Sequence, residues 1–254
     1  MTEIEHAIVR FMLASARFAP VLIVPALTPF VWVPALVRIA LLMAVGMLAA
    51  AVAPTGAVPI SADQPIAFGL ALLGESAFGL ALALAVMLPV AAIGFSARIA
   101  DIQSGVAAIA LFNPTVRSAD SMAGTVMQWS ATLVFFALGF HLLLLQGLVA
   151  STRFVPLGSA GLAITPQRFV EMLGSQFLLG LAVVAPVIVG LLAIDFGVAF
   201  ASRSMPQANV YFVALPLKVA AAFLLLAATL RFAPQLIGRV FDQAFQSASA
   251  AVVH

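Results

Sequence analysis

The sequence predicts an all-α, membrane-class protein of helical hairpins, with about six long apolar helices and a short, plug-like re-entrant segment. Composition is the first observation behind that expectation. Of the 254 residues, 64% are hydrophobic and 8% charged, against about 25% charged in soluble globular domains, and the mean hydropathy is +1.21. The second is patterning. Apolar runs reach the roughly 20 residues that a bilayer crossing requires, and 15 prolines and 17 glycines punctuate them. The third is the charge distribution, with eleven basic and nine acidic residues scattered one at a time. Despite a sequence pI near 9.9, that scatter makes no basic patch, so nucleic acid is not an expected partner.

Taken in order, the first helix is expected from about Glu3 to Val24, with Arg10 and Arg17 on one face, Pro20 kinking it and Pro25 ending it. Residues 26–33 read as a short extended connection, and Pro34 opens a second apolar helix to about Val52. A proline- and glycine-rich loop follows to Pro65, where a third helix begins. Its Glu75 is the single acid of an apolar span. Such a carboxylate either pairs with an arginine elsewhere, reaches an aqueous edge, or takes part directly in transport or gating. After Pro89 the character changes, and residues 96–105 are polar on one side.

Residues 106–112 are apolar but too short to span a bilayer, and Asn113-Pro114 breaks the chain after them. Irregular backbone at membrane depth is tolerated where it is buried in protein or lines a cavity. The segment therefore reads as a plug, with Gly105, Val106, Ala107, Leu111, Phe112, Asn113 and Pro114 as its residues, or as an ordinary helix end and loop. A fourth helix is expected over residues 121–150, uncharged and long enough to require tilt. Its His141 is a packing residue or a proton relay. A loop over residues 159–167 leads to a fifth helix, about residues 168–202, where Gly190, Ala193, Gly197 and Ala201 form a small-residue stripe suited to close helix contact.

Between the fifth helix and a sixth, which starts near Asn209, lies a polar hairpin tip carrying Arg203, Pro206, Gln207 and Asn209, with Lys218 beyond it. Pro206 disfavours helical geometry at Met205, and the two amides are suited to the backbone groups freed at the turn. Asp195 lies eight residues before Arg203, about two helical turns, so the two share a side of the helix. Arg203 is expected to pair with Asp195 or with a carboxylate of a partner. Chemistry of other kinds finds little support. No cysteine is present and the three histidines lie far apart, so no metal or cofactor is expected. The string Gly158-Ser159-Ala160-Gly161 is too weak a signal for a serine nucleophile, and no enzyme is expected. The start, Met-Thr-Glu-Ile-Glu-His, is acidic where a secretory signal would be basic.

Three stretches together resemble the FliR/SctT family (SpaR-like), the membrane subunit of the type III secretion export gate. Arg203-Ser-Met-Pro-Gln-Ala-Asn-Val-Tyr-Phe212 with Leu215-Pro-Leu-Lys218 is similar to the family's Arg-x-x-Pro-Gln-x-Asn signature and the Pro-Leu step after it. Asp101-Ile-Gln-Ser-Gly105 through Phe112-Asn-Pro114 resembles its Gln-x-Gly…Phe-Asp-Pro stretch, with Asn113 in place of Asp. Phe135 to His141 with Phe154-Val-Pro-Leu-Gly158 resembles its Phe…Gly-His…Pro-Leu-Gly pattern, with Phe140 beside His141 where glycine is common. Arg17, Pro25, Pro34 and Arg38 fall at compatible spacings, while Ala199 and Ala214 replace frequent glycines.

The resemblance implies one export-gate membrane domain. Its N-terminal part is similar to the P-type partner subunit and its C-terminal hairpin, about residues 168–254, to the Q-type partner. Such a chain assembles with those two partners and other export components in the bacterial inner membrane, raised towards the periplasm. It passes unfolded secreted proteins and seals the pore with the stretch around residues 106–123. The flagellar branch and its basal body are favoured over the injectisome branch. A secondary transporter or ion channel with Glu75, Asp195 and Arg203 along a polar path is the reading of another class.

Overall fold

A computed structural model describes residues 3–24, 29–53, 64–106, 121–159, 166–204 and 210–253. Among these the chain is almost wholly helical, without a strand: α1 (Glu3–Leu22), α2 (Ala35–Val52), α3 (Pro65–Ser104), α4 (Met122–Ala137), α5 (Phe140–Phe154), α6 (Pro166–Ser204) and α7 (Val210–Val253). Helix is what a lipid-embedded backbone must adopt, because each N–H and C=O then finds its partner within the same segment. Among the described residues, four helices are long and apolar enough to cross a membrane, namely α2, α3, α6 and α7; α4 and α5 meet that test only taken together, as a broken pair.

The break in that pair corrects the single helix expected over residues 121–150. Gly139 adopts φ +76°, a left-handed conformation that glycine reaches without a Cβ clash. The Leu138 N–H closes α4 on the Val134 carbonyl, and the Gly139 carbonyl accepts from Leu142 at 2.9 Å to open α5. Prolines, by contrast, do not end the helices that contain them. Pro20, Pro89, Pro186, Pro216 and Pro234 all lie inside helices. The 40 residues of α3 continue as helix past Pro89. Pro34 stands at the N-cap of α2 rather than inside it, and its carbonyl accepts from Val37 and Arg38.

The chain folds as two compact units, Met1–Met87 with Gly139–Leu173 and Asp242–His254, and Leu88–Leu138 with Gly174–Phe241. In the first, α1 packs on α2, and Val9, Leu13, Phe18 and Leu22 of α1 are buried. Gly46 of α2 lies against Ser15 and Phe11. The Arg38 guanidinium donates to the Ile23 carbonyl at 2.9 Å, tying the start of α2 to the end of α1. In the second unit, Gly180 of α6 lies so close to Ala92 of α3 that a Cβ there would sit 2.7 Å from its backbone. Phe135 packs on Phe241 and Phe95 on Phe177, and α6 and α7 form an antiparallel hairpin.

The stripe on α6 is only partly used within the chain. Gly190 meets Leu225 of α7, but nothing lies within 4 Å of a Cβ built at Gly197, and Ala193 and Ala201 are exposed. Small residues at helical spacing permit close contact without creating it. The contacts form where a neighbour is present, as at Gly79, Gly94 and Gly180.

Candidate functional site

Two polar clasps stand out in this apolar chain, one in each unit. The first is built on Arg17. Its neighbours along α1, Leu13, Ala14, Phe18 and Val21, are fully buried, and so is Arg17 itself. The helix comes close enough to α3 for this because Gly79 has no side chain: a Cβ there would lie 1.8 Å from the Arg17 carbonyl oxygen. One turn before Gly79 stands Glu75, also fully buried. The Arg17 Nε donates to Glu75 Oε2 at 2.5 Å and Nη2 donates to Oε1 at 3.0 Å, a two-pronged pairing. Planar guanidinium and planar carboxylate match edge to edge in that geometry.

The remaining polar atoms of the pair are satisfied from α5 and the turn after it. Arg17 Nη1 donates to the carbonyls of Ser151 at 3.1 Å and Val155 at 2.9 Å. The Gly158 N–H donates to Glu75 Oε1 at 2.7 Å. Gly158 sits at φ +86°, a left-handed conformation that turns its amide to the carboxylate at no steric cost. The Phe78 ring lies beneath the guanidinium, 4.9 Å from centroid to Cζ, a cation–π contact. One ion pair thus holds α1, α3, α5 and the turn after α5 together. Buried charges persist only when paired and hydrogen-bonded in this way.

The second clasp is Asp101, buried in the last turn of α3. Its Oδ2 accepts from Ser121 Oγ at 2.6 Å and from the Ala123 N–H at 2.9 Å. Ser121 Oγ in turn accepts from the Gly124 N–H at 2.8 Å, capping α4. A carboxylate here satisfies amides that the first turn of a helix leaves without partners and complements the positive end of its dipole. Gly105 ends α3 at φ +84°, and the Val106 N–H donates to Ser104 Oγ at 3.4 Å. Asp101 therefore joins the chain before residue 107 to the chain after residue 120. Of the expected plug residues, Gly105 and Val106 lie at this junction, while Ala107, Leu111, Phe112, Asn113 and Pro114 lie outside the described residues.

The structure pairs Asp195 with Lys218, Nζ to Oδ1 2.6 Å, where the sequence suggested Arg203. Eight residues along one helix place Asp195 and Arg203 about 12 Å apart in height, whereas Lys218 faces Asp195 across the α6–α7 hairpin. Arg203 is exposed at the end of α6, and Pro206, Gln207 and Asn209 lie outside the described residues. His141 is half-buried at the start of α5. Ser159 is exposed and its hydroxyl donates to the Pro156 carbonyl at 2.7 Å. Arg17 and Glu75 stand out separately in the sequence; Asp101 and Ser121 as a joint, and Gly79 and Gly158 as parts of the Arg17 clasp, do not. Ser121, a capping residue just before an apolar run, was the available signal for the joint.

Comparison with known proteins places these clasps in context. The family profile of the bacterial export proteins, family 1, matches residues 8–244, a stretch that contains both clasps, α6, and α7 as far as residue 244. The flagellar biosynthetic protein FliR of Bacillus subtilis is 26% identical over 156 residues, 60% of this chain and 60% of that protein, less than two thirds of its length. The Yop proteins translocation protein T of Yersinia pestis is 33% identical over 178 residues, 66% of this chain and 68% of that protein. The FliR of Escherichia coli is 25% identical over 214 residues, 84% of this chain and 81% of that protein.

Proposed function

The chain belongs to the bacterial export proteins of family 1, and from that premise we propose that it is a membrane subunit of a type III secretion export gate. With P-type and Q-type partner subunits it forms and seals a pore through which unfolded flagellar proteins leave across the inner membrane. The match across residues 8–244 carries this reading. The geometry supports it in a particular way, because the polar chemistry buried within the chain ties helices together. Glu75, which a transporter would place along its path, is closed off by Arg17 and Gly158. The chain's role is that of conduit and seal, structural rather than enzymatic.

In this reading the stretch around residues 106–123 seals the pore, and Asp101 ties its described end, at Ser121 and Ala123, to α3. The C-terminal hairpin from about residue 168 corresponds to the Q-type partner and the N-terminal part to the P-type partner. A second reading, the injectisome branch, is favoured by the 33% identity to the Yersinia translocation protein. More of the related proteins bear flagellar names, so the flagellar reading stands first. Coexpression of the full chain with its two neighbouring membrane subunits, followed by detergent extraction, tests the proposal. The expected outcome is one hetero-oligomeric complex. A chain that emerges alone or as a homo-oligomer would overturn it in favour of a transporter.

A further inference from the structure

The α6–α7 hairpin of the second unit is rich in unmatched positive charge. Between residues 174 and 241 it carries Arg203, Lys218, Arg231 and Arg239 against the single carboxylate of Asp195, and that carboxylate is taken by Lys218. Arg231, Gln235 and Arg239 follow one another at four-residue spacing, so they lie along one side of α7, and all three are exposed. Neither arginine has an ion-pair or hydrogen-bond partner among the described residues. Asp242, one turn beyond Arg239, is exposed and forms no ion pair with it. The opposite side of the helix is apolar and buried, through Leu226, Ala233, Ile237 and Phe241. This stripe lies within Val213–Gln246, a segment long and apolar enough to cross a membrane.

Resting on the gate reading above, we infer that the Arg231–Gln235–Arg239 stripe is the seat for an acidic helix of a neighbouring gate subunit. That helix would carry two carboxylates seven or eight residues apart. An arginine facing lipid near the middle of a membrane helix costs about 2.5–3.5 kcal/mol on insertion scales, so a stripe of two calls for an anionic or aqueous surround. Eight residues of helix separate the two guanidinium-bearing positions by about 12 Å along the axis. A layer of lipid headgroups at one depth does not meet both, whereas carboxylates two turns apart on a facing helix do. The flanks point the same way. Leu224 is 72% exposed and Phe232 58% exposed beside the stripe, and arginine mixed with large apolar side chains is the composition of protein interface centres. Gln235, between the arginines, offers a donor and an acceptor for the partner's polar side chains.

The test uses the full chain coexpressed with the P-type and Q-type subunits. R231E/R239E is expected to lower the fraction of the chain recovered in the complex by about tenfold or more, as loss of a desolvated charge pair does, with the amount of chain in the membrane unchanged. R231K/R239K keeps the charge and is expected to retain most of the assembly. Wild-type complex that R231E/R239E leaves intact overturns the stripe alone; wild-type chain that copurifies with neither subunit overturns the gate reading and the stripe with it. Should R231E/R239E fail to accumulate, a photo-crosslinking residue at exposed position 235 decides. A cross-link to an Asp- or Glu-bearing peptide of a gate subunit supports the seat, with rescue of R231E by reversing that acid. Cross-linking to phospholipid only, or no cross-link in an intact complex, overturns it.

Discussion

Two ion pairs among the described residues, Arg17–Glu75 and Lys218–Asp195, are made from similar chemistry and do different work. Arg17–Glu75 has both side chains fully buried, while Lys218–Asp195 has side-chain exposures of 12% and 39%. The first pair is surrounded by further donors and acceptors from α5 and its turn. The second joins two adjacent helices of one hairpin and has no further side-chain hydrogen bond among the described residues. A buried pair is held because each half would be ruinous alone; a half-exposed pair shares its charges with solvent and stabilises by about 1 kcal/mol or less. The difference separates a charge that builds the fold from charges available to a neighbour.

The largest expected effect comes from breaking the buried pair. Arg17→Ala leaves the Glu75 carboxylate without its counter-charge and is expected to destabilise the first unit by about 3–5 kcal/mol, read as the unfolding midpoint of the purified protein. Replacing both residues by apolar ones of similar volume should cost less than the single change. An Arg17→Ala protein as stable as wild type would show that solvent or lipid reaches Glu75. A smaller loss is expected for Gly158→Ala. The backbone there is left-handed at φ +86°, which costs an L-residue about 1–2 kcal/mol. A normal midpoint for this variant would mean that the turn adopts another conformation and that Glu75 loses the amide. The smallest effect belongs to the half-exposed pair. Asp195→Asn is expected to change stability by about 1 kcal/mol or less, with the same measurement; a loss comparable to that of Arg17→Ala would place Asp195 in a buried network and erase the contrast.

Much of the architecture was legible because membrane helices advertise themselves by composition. The elements around Ala35–Val52, Pro65–Ser104 and the final hairpin follow directly from apolar runs and their polar ends. The division at Gly139 was not. A lone glycine inside an apolar run is tolerated by a helix as readily as it ends one, and the outcome rests on its φ. Pro186 lies inside its helix as expected, and Pro89, after which the sequence changes character, lies inside α3 without ending it. In the candidate site, Glu75 was conspicuous as the one acid of its span. Its partner, 58 residues away on α1, follows from the approach of two helices at Gly79, which no local pattern encodes. Asp195 was assigned by proximity along the chain, and proximity across the hairpin prevailed.

The hub around Glu75 also imposes an order on biosynthesis. Arg17 leaves the ribosome first, Glu75 follows, and Gly158 comes 83 residues after Glu75. When α3 enters the bilayer its carboxylate already has a guanidinium waiting on α1, so the two helices can be integrated as an electrically neutral couple. The couple nonetheless lacks the carbonyls of Ser151 and Val155 and the amide of Gly158 until α5 and its turn arrive. Nascent chains stopped short of residue 158 therefore hold a neutral but incompletely solvated pair, and delivery of the Pro156-Leu-Gly158 turn is the step that completes its polar shell.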